Sequence, residues 1–249
     1  MKKYVQEATD INIWTSIKNN TFERNKDIKE FIDGLELIDE SACISLDAKW
    51  GDGKTFFVRQ IEEVLKYVLA NQRADEENPI EKIPSYEYLK DNEIYYNAWM
   101  YDNHSDPLMS LLLVMTKTCK GVYDTKIDSE KISEKLIKAL STLPISLGEF
   151  KMNPFTVAEK LQVKKVDILS LVQTEEEIRE RVKGIFNDII VERAQKLIIF
   201  IDELDRCRPS FAIEMLERIK HYFDDERVIF VVSLNKEQLI HTITSYYGS

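Results

Sequence analysis

The stretch AKWGDGKT, residues 48–55, decides the fold class of this chain of 249 residues. It departs at one position from the phosphate-binding pattern G-x-x-x-x-G-K-[ST], because Ala48 stands where the first glycine is expected. In such a loop the backbone N–H groups surround a phosphate, and the helix that follows points its positive dipole end at the same charge. We therefore expect Lys54 to reach the β- and γ-phosphates of a nucleotide, and the Thr55 hydroxyl to hold Mg²⁺.

The alanine sets a condition on this interpretation. Its methyl group disfavours positive φ, so we expect the loop to tolerate Ala48 where φ is negative at that residue. A tight turn that binds no ligand is the alternative interpretation. The residues that we predict to contact nucleotide are Ala48, Lys49, Trp50, Gly51, Asp52, Gly53, Lys54, Thr55 and Phe56. The Trp50 side chain either packs on the domain or touches the nucleotide.

Apolar segments around the loop predict strands and helices in alternation. ACISLDA (42–48) is predicted to be a buried strand, and KTFFVRQIEEVLKYVLANQ (54–72) repeats apolar residues at helical spacing. Further strands are predicted in EIYYNAWMY (93–101), KLIIFIDE (196–203) and RVIFVVSLN (227–235).

Helices are predicted for RNKDIKEFIDGLELIDE (24–40), PSFAIEMLERIKHYF (209–223) and KEQLIHTITSYY (236–247). The alternation predicts an α/β fold, with a mostly parallel sheet and helices on both of its faces. We expect residues 1–249 to form a single domain, and residues 104–195 to be a helical insertion within it.

An acidic pair follows the apolar strand at KLIIFIDELDR (196–206), in the pattern of a Walker B motif. A buried strand of this kind delivers Asp202 to the end of the sheet, where its carboxylate can hold Mg²⁺ through water. Glu203 beside it can orient and deprotonate an attacking water. The alternative is an apolar strand that ends in a solvated acidic turn.

Other polar residues are candidates for secondary roles. Of Ser233 and Asn235, at the end of a predicted strand, Asn235 is the better candidate to sense the γ-phosphate and help place water. It is equally well suited to cap the next helix. Arg206 or Arg208 could act across a subunit interface, or could pair with a nearby carboxylate or the neighbouring helix. Asn97 could position water, or could have a role in the core or in a turn.

Composition restricts the class of protein. The net charge of -10 disfavours nucleic acid and anionic membranes as partners. Cys43, Cys119 and Cys207 are widely spaced, which argues against a disulfide framework or a zinc site and favours a cytoplasmic location. From the start of the sequence we expect no signal peptide, and the sequence contains no apolar run long enough to cross a membrane.

Three motifs together resemble those of the KAP P-loop NTPases. That family's loop typically reads W-G-x-G-K-[ST], its second strand F-N-A-W and its Walker B motif I-D-[DE]-L-D-R-C-x-P. This chain has WGDGKT (50–55), YYNAW (95–99) and IDELDRCRP (201–209) in the same order. The resemblance implies the additional-strand class of P-loop fold, and binding of ATP, or alternatively GTP, with Mg²⁺.

The resemblance also implies slow hydrolysis, in which Lys54, Glu203 and Asn235 are the candidate catalytic residues and Thr55 and Asp202 the metal ligands. Because that family includes bacterial phage-exclusion proteins, the resemblance also implies a role in bacterial phage defence. We expect the nucleotide state to act on a protein partner or a homo-oligomer. Members of the family usually continue beyond the point where SYYGS ends this sequence, so we expect a domain that is incomplete at its C-terminus. A nucleotide-binding scaffold or switch with little hydrolysis is the alternative function.

Overall fold

In the part of the chain that the structure describes, four parallel strands form the sheet that carries the phosphate-loop sequence. The computed structural model describes residues 7–71, 92–104, 106–122, 180, 183–184, 196–222 and 225–248. The strands in this part of the chain are β1 (Ala42–Asp47), β2 (Asn92–Asn97), β3 (Leu197–Asp202) and β4 (Val228–Leu234). Their order across the sheet is β1-β4-β3-β2, and every neighbouring pair is parallel. The predicted parallel α/β sheet is therefore confirmed.

Helices connect and cover these strands. The described α-helices are α1 (Asp10–Lys18), α2 (Arg24–Glu36), α3 (Lys54–Asn71), α4 (Pro107–Val122), α5 (Pro209–Tyr222) and α6 (Lys236–Tyr247). Short 3₁₀ turns follow α1, β2 and β3, at Thr21–Glu23, Ala98–Tyr101 and Leu204–Arg206. Most of the predicted insertion at 104–195 lies outside the described residues, which include α4 and three helical residues at 180 and 183–184.

Two apolar cores lie on opposite faces of the sheet. Because successive side chains of a strand point to opposite faces, β3 sends Ile199 and Ile201 to one side and Ile198 and Phe200 to the other. The first pair packs in a cluster with residues of α4, α5 and α6. The second pair packs in a cluster with residues of α1, α2 and α3. Helices thus cover both faces of the central strands.

Strand β1 differs from the prediction of a buried strand. Its side chains alternate between half-buried residues and exposed ones, the exposed set being Cys43, Ser45 and Asp47. Within the described residues β1 is an edge strand that pairs with β4 alone. Its half-buried residues Ala42, Ile44 and Leu46 pack on the α1–α3 core. Its sequence alternates apolar and polar residues in agreement with this position, a pattern typical of a strand covered on one face.

Lys196, just before β3, links the central sheet to the N-terminal helices. Its ammonium donates hydrogen bonds to the carbonyl oxygens of Leu35 at 3.4 Å, Glu36 at 2.8 Å and Ile38 at 2.7 Å. The last carbonyls of a helix have no partner within the helix, and a cation is favourable there. The end of α2 is therefore held against the start of β3.

Replacing Lys196 by Met tests this link, because the substitution keeps the apolar stem and removes the ammonium. We expect the free energy of unfolding to fall by about 1–3 kcal/mol, since carbonyl groups lose a charged donor. Chemical denaturation measures the change. Lys26→Met is the matched control, because that side chain is 80% exposed and pairs with Glu30 on the surface of α2. An equal effect of the two substitutions would contradict the link.

Candidate functional site

The parallel sheet brings the predicted motifs to one edge. Asp47 at the end of β1 lies opposite Leu234 of β4, and Ser233 of β4 lies opposite Asp202 of β3. Asp202 in turn lies opposite Asn97 of β2. The phosphate-loop sequence, the end of β4 and the acidic pair therefore meet at the carboxyl ends of the strands, where open α/β sheets bind ligands.

The loop backbone meets the condition set by Ala48. Positive φ occurs at Gly51, with φ of 90°, and at Gly53, with φ of 82°, but not at Ala48. Glycine adopts these values without the steric cost of a Cβ atom. The Ala48 N–H donates to the carbonyl of Leu234 at 3.3 Å and continues the pairing of β1 with β4. The alanine is therefore compatible with the curled loop.

Lys54 is the first residue of α3, and its side chain folds back into the loop. Its ammonium donates to the carbonyl oxygens of Ala48 at 2.6 Å and Lys49 at 3.2 Å. Thr55 follows it in the first turn of α3 and is half-buried. The Asp52 carboxylate accepts a hydrogen bond from the Lys49 N–H at 3.1 Å. The ammonium thus lies at the start of the loop, within reach of an anion that enters the curl.

Arg24 at the start of α2 holds the other side of the loop, a role that the motif did not predict. Its guanidinium donates to the carbonyl oxygens of Asp52 at 3.1 Å and Gly53 at 3.4 Å. In a trans peptide the C=O and the next N–H point in opposite directions. The N–H groups of Gly53 and Lys54 therefore point away from Arg24. A Cβ at Gly53 would also lie 3.3 Å from this guanidinium.

Asp202 ends β3 as a buried carboxylate, 1% exposed. One oxygen accepts from the Tyr95 hydroxyl at 2.9 Å and the other from the Glu203 N–H at 2.9 Å. Burial, together with the charge of Asp202, raises the pKa of Tyr95, so its hydroxyl remains a donor. Both donors are neutral, and no cationic side chain of the described residues forms an ion pair with Asp202. Such a carboxylate suits a divalent cation.

Glu203 follows in the left-handed region, with φ of 61°. Its carboxylate pairs with Arg206 at 3.0 Å, and it accepts from the Asn97 amide at 3.5 Å. The other amide atom of Asn97 accepts from the Met100 N–H at 3.2 Å and caps the turn after β2. Burial raises the pKa of Glu203, and Arg206 opposes that change. A carboxylate with a raised pKa takes up a proton more readily, which suits a general base.

The two arginines after the acidic pair both bind carboxylates of this chain. Arg206 pairs with Glu203, as one of the alternatives predicted. Arg208 instead binds Asp102, whose carboxylate accepts from its backbone N–H and its Nε, each at 3.1 Å. Asp102 lies beyond the turn after β2, far from Arg208 in the sequence, so the sequence did not predict this ion pair. Whether either arginine acts in a second subunit stays a prediction.

At the end of β4, two polar residues differ in their bonding. The side chain of Asn235 accepts from the Gln238 N–H at 3.2 Å and caps α6. The capping alternative is therefore confirmed, and contact of Asn235 with the γ-phosphate stays a prediction. Ser233 is fully buried, and its hydroxyl has no hydrogen-bond partner among the described residues. This unpaired hydroxyl stands beside Asp202 in the sheet.

The residues present fit a magnesium nucleotide. Mg²⁺ prefers oxygen ligands, of which the Thr55 hydroxyl and the Asp202 carboxylate are the candidates. The loop N–H groups and Lys54 are donors for phosphate oxygens. Trp50 is 53% exposed and donates its indole N–H to Asp205 at 2.5 Å, so its bond is with the acidic turn.

Within the described part of the chain, none of the helices combines the length and apolar character needed to cross a membrane.

The unpaired hydroxyl of Ser233 leads to a prediction about stability. Ser233→Ala should raise the free energy of unfolding by about 1 kcal/mol, because it removes a buried polar group that gains no hydrogen bond. Ser110→Ala is the matched control: its buried hydroxyl bonds Tyr96 at 2.6 Å and donates to Pro107 at 2.8 Å. That substitution should lower the free energy by about 1–3 kcal/mol. Denaturant titration measures the free energy of unfolding of both variants. A loss of stability in Ser233→Ala would contradict the assignment of the Ser233 hydroxyl as unpaired.

Comparison with known protein families agrees with the geometry of this edge. The model of the KAP family P-loop domain matches residues 24–249, a range that begins at Arg24 and includes the loop and the acidic pair. Among curated proteins, none has a sequence that matches this chain. Since the family match covers most of the chain, the protein belongs to the KAP family of P-loop domains.

Proposed function

We propose that this protein is a Mg²⁺-dependent ATPase that hydrolyses ATP slowly. Membership of the KAP P-loop family supports nucleotide binding. The observation that carries the proposal is the state of Asp202, a buried carboxylate that two neutral donors hold at the sheet edge. A buried charge without a counter-charge is costly, so a bound cation would offset that cost.

The loop residues would bind the triphosphate. Arg24 binds the carbonyl oxygens of Asp52 and Gly53, which supports an orientation of the following N–H groups toward the phosphates. Lys54 would exchange its bonds to Ala48 and Lys49 for phosphate oxygens of higher negative charge. The N-terminus of α3 adds its dipole to the same charge.

Thr55 and Asp202 would hold Mg²⁺. An ion held there would supply positive charge that neutralises the phosphate oxygens. Tyr95 and the Glu203 N–H keep the Asp202 carboxylate in one orientation, so the ligand needs little rearrangement. The buried Ser233 hydroxyl is a further candidate donor at the γ-phosphate, next to the predicted Asn235.

Glu203 would act as the general base. It takes a proton from a water whose oxygen attacks the γ-phosphorus, while the bond to the β-phosphate oxygen breaks. Its raised pKa supports this role, and its contact with the Asn97 amide limits the orientation of the carboxylate. Phosphoryl transfer needs positioning and charge neutralisation more than covalent chemistry, and these residues would provide both.

The strand order supports a more specific class. β4 lies between β1, which precedes the loop, and β3, which carries the acids. We therefore assign the chain to the additional-strand class of P-loop proteins. A single domain over 1–249 with an insertion at 104–195 is the arrangement that we propose for the whole chain. Its cytoplasmic location stays a prediction from the cysteine pattern.

A nucleotide-binding switch with little hydrolysis is a second candidate, and one contact favours it. The ion pair of Arg206 with Glu203 engages one oxygen of the base. Turnover would then need this pair to open, which a partner protein or a second copy of the chain could bring about. Coupling to such a partner stays a prediction, as do the role in bacterial phage defence and the use of GTP that the family resemblance implies.

Phosphate release and ATP binding by three variants test the proposal. Lys54→Ala should weaken ATP binding strongly, because the phosphates lose a charged donor. Glu203→Gln should keep ATP affinity within about threefold and lower phosphate release at least 100-fold, as expected for loss of a general base. Glu217→Gln, at an exposed position of α5, is the matched control and should change neither quantity.

The outcomes separate the two candidates. Phosphate release by the unaltered protein that depends on Mg²⁺ supports the ATPase. Tight ATP binding without release by the unaltered protein supports the switch. Failure of ATP to bind the unaltered protein would contradict both.

A further inference from the structure

Trp50 and Asp205 join the phosphate loop to the acidic turn. The indole N–H of Trp50 donates to the Asp205 carboxylate at 2.5 Å, across 155 residues of sequence. Asp205 is 5% exposed, so its charge needs a donor inside the protein. A bond of this kind, from a neutral donor to a carboxylate, is stronger than one between two neutral groups.

The turn that Asp205 belongs to also holds Glu203. Leu204–Arg206 forms a single 3₁₀ turn that begins directly after Glu203. The Arg206 N–H donates to the Glu203 carbonyl at 3.1 Å, and the Cys207 N–H to the Leu204 carbonyl at 3.3 Å. Because these bonds make the turn one unit, a displacement of Asp205 would displace the backbone of Glu203.

The exposure of Trp50 indicates that burial of its ring does not explain its position. The side chain is 53% exposed, close to the 55% of Trp99 at the same edge of the sheet. A half-exposed indole gains only part of the hydrophobic free energy of a buried one. The specific interaction of Trp50 is therefore its hydrogen bond to Asp205.

The other side of the loop is held separately. Arg24 binds the carbonyl oxygens of Asp52 and Gly53 from α2. The loop is thus attached to α2 on one side and to the turn after β3 on the other. In the proposed ATPase the γ-phosphate would lie between Lys54 and Glu203, and the Trp50–Asp205 bond joins the loop that contains Lys54 to the turn that follows Glu203.

We propose that the Trp50–Asp205 hydrogen bond sets the position of Glu203 relative to the phosphate loop, so that both are positioning residues for hydrolysis. This inference rests on the proposed ATPase function. Neither side chain needs to touch the nucleotide for this role. Loss of this hydrogen bond should slow the chemical step and leave the phosphate contacts of the loop in place. We therefore expect kcat to fall more than the affinity for ATP.

A double-mutant cycle on the whole chain tests the proposal. Trp50→Phe keeps an aromatic ring and removes the N–H, and Asp205→Ala removes the acceptor. Each should lower kcat about tenfold while ATP affinity stays within about threefold, and the double variant should be no slower than either single one. Asp205→Asn keeps an oxygen acceptor and should restore most of the rate. Trp99→Phe is the matched control for loss of an exposed indole.

Fluorescence reports the bond itself. The chain has three tryptophans, so Trp14→Phe with Trp99→Phe leaves Trp50 as the single one. In this background Asp205→Ala should shift the emission maximum to longer wavelength, because the freed indole meets more water. Asp205→Asn should shift it less. An unchanged emission maximum in Asp205→Ala would contradict the presence of the Trp50–Asp205 hydrogen bond in solution.

The results distinguish this inference from the function on which it rests. If ATP is hydrolysed and the two substitutions leave kcat unchanged, or act independently in the double variant, the positioning role is overturned and the ATPase stands. If ATP binds without turnover, the positioning role is overturned and the switch remains. If ATP does not bind, both the inference and the proposed function are overturned. Thermal unfolding of each variant is the control that tests whether the compared proteins are folded.

Discussion

The orientation of the loop peptides is the constraint on which the rest of the site depends. Backbone N–H groups can face an anion only when the carbonyl groups of the same peptides have partners elsewhere. Arg24 is such a partner for the carbonyl of Asp52, and it shares the carbonyl of Gly53 with the Phe57 N–H, which donates at 2.9 Å. Positive φ at Gly51 and Gly53 allows the curl. A helix outside the motif thus provides part of the loop's geometry.

The strand order provides the second half of the site. Because β4 lies between β1 and β3, the loop and the acids are separated by the width of one strand. That strand contributes Ser233, whose unpaired hydroxyl lies beside the Asp202 carboxylate. Tyr95 from β2 supports the same carboxylate from the other side. Four strands therefore contribute to one edge, and Trp50 bonds the loop to the acidic turn.

The alternation of apolar runs and helical periods predicted the parallel sheet because those patterns reflect local burial. The same reasoning failed for one face of β1, whose Cys43 and Ser45 are exposed at the sheet edge. Arg24, Tyr95 and Asp205 could not be predicted as parts of the site. Their partners lie 28, 107 and 155 residues away, and only the topology brings them together. Capping of α6 by Asn235 could be foreseen as one of two alternatives, since capping is a local property.

A crystal structure with Mg²⁺ and a non-hydrolysable ATP analogue is the most direct test of the nucleotide site. We predict phosphate oxygens within about 3.2 Å of the Gly53 and Lys54 N–H groups. The Lys54 ammonium should have moved from the Ala48 carbonyl to a phosphate oxygen, and the Tyr95 bond to Asp202 should persist. A nucleotide bound away from the loop, with Lys54 still on the Ala48 carbonyl, would contradict the account.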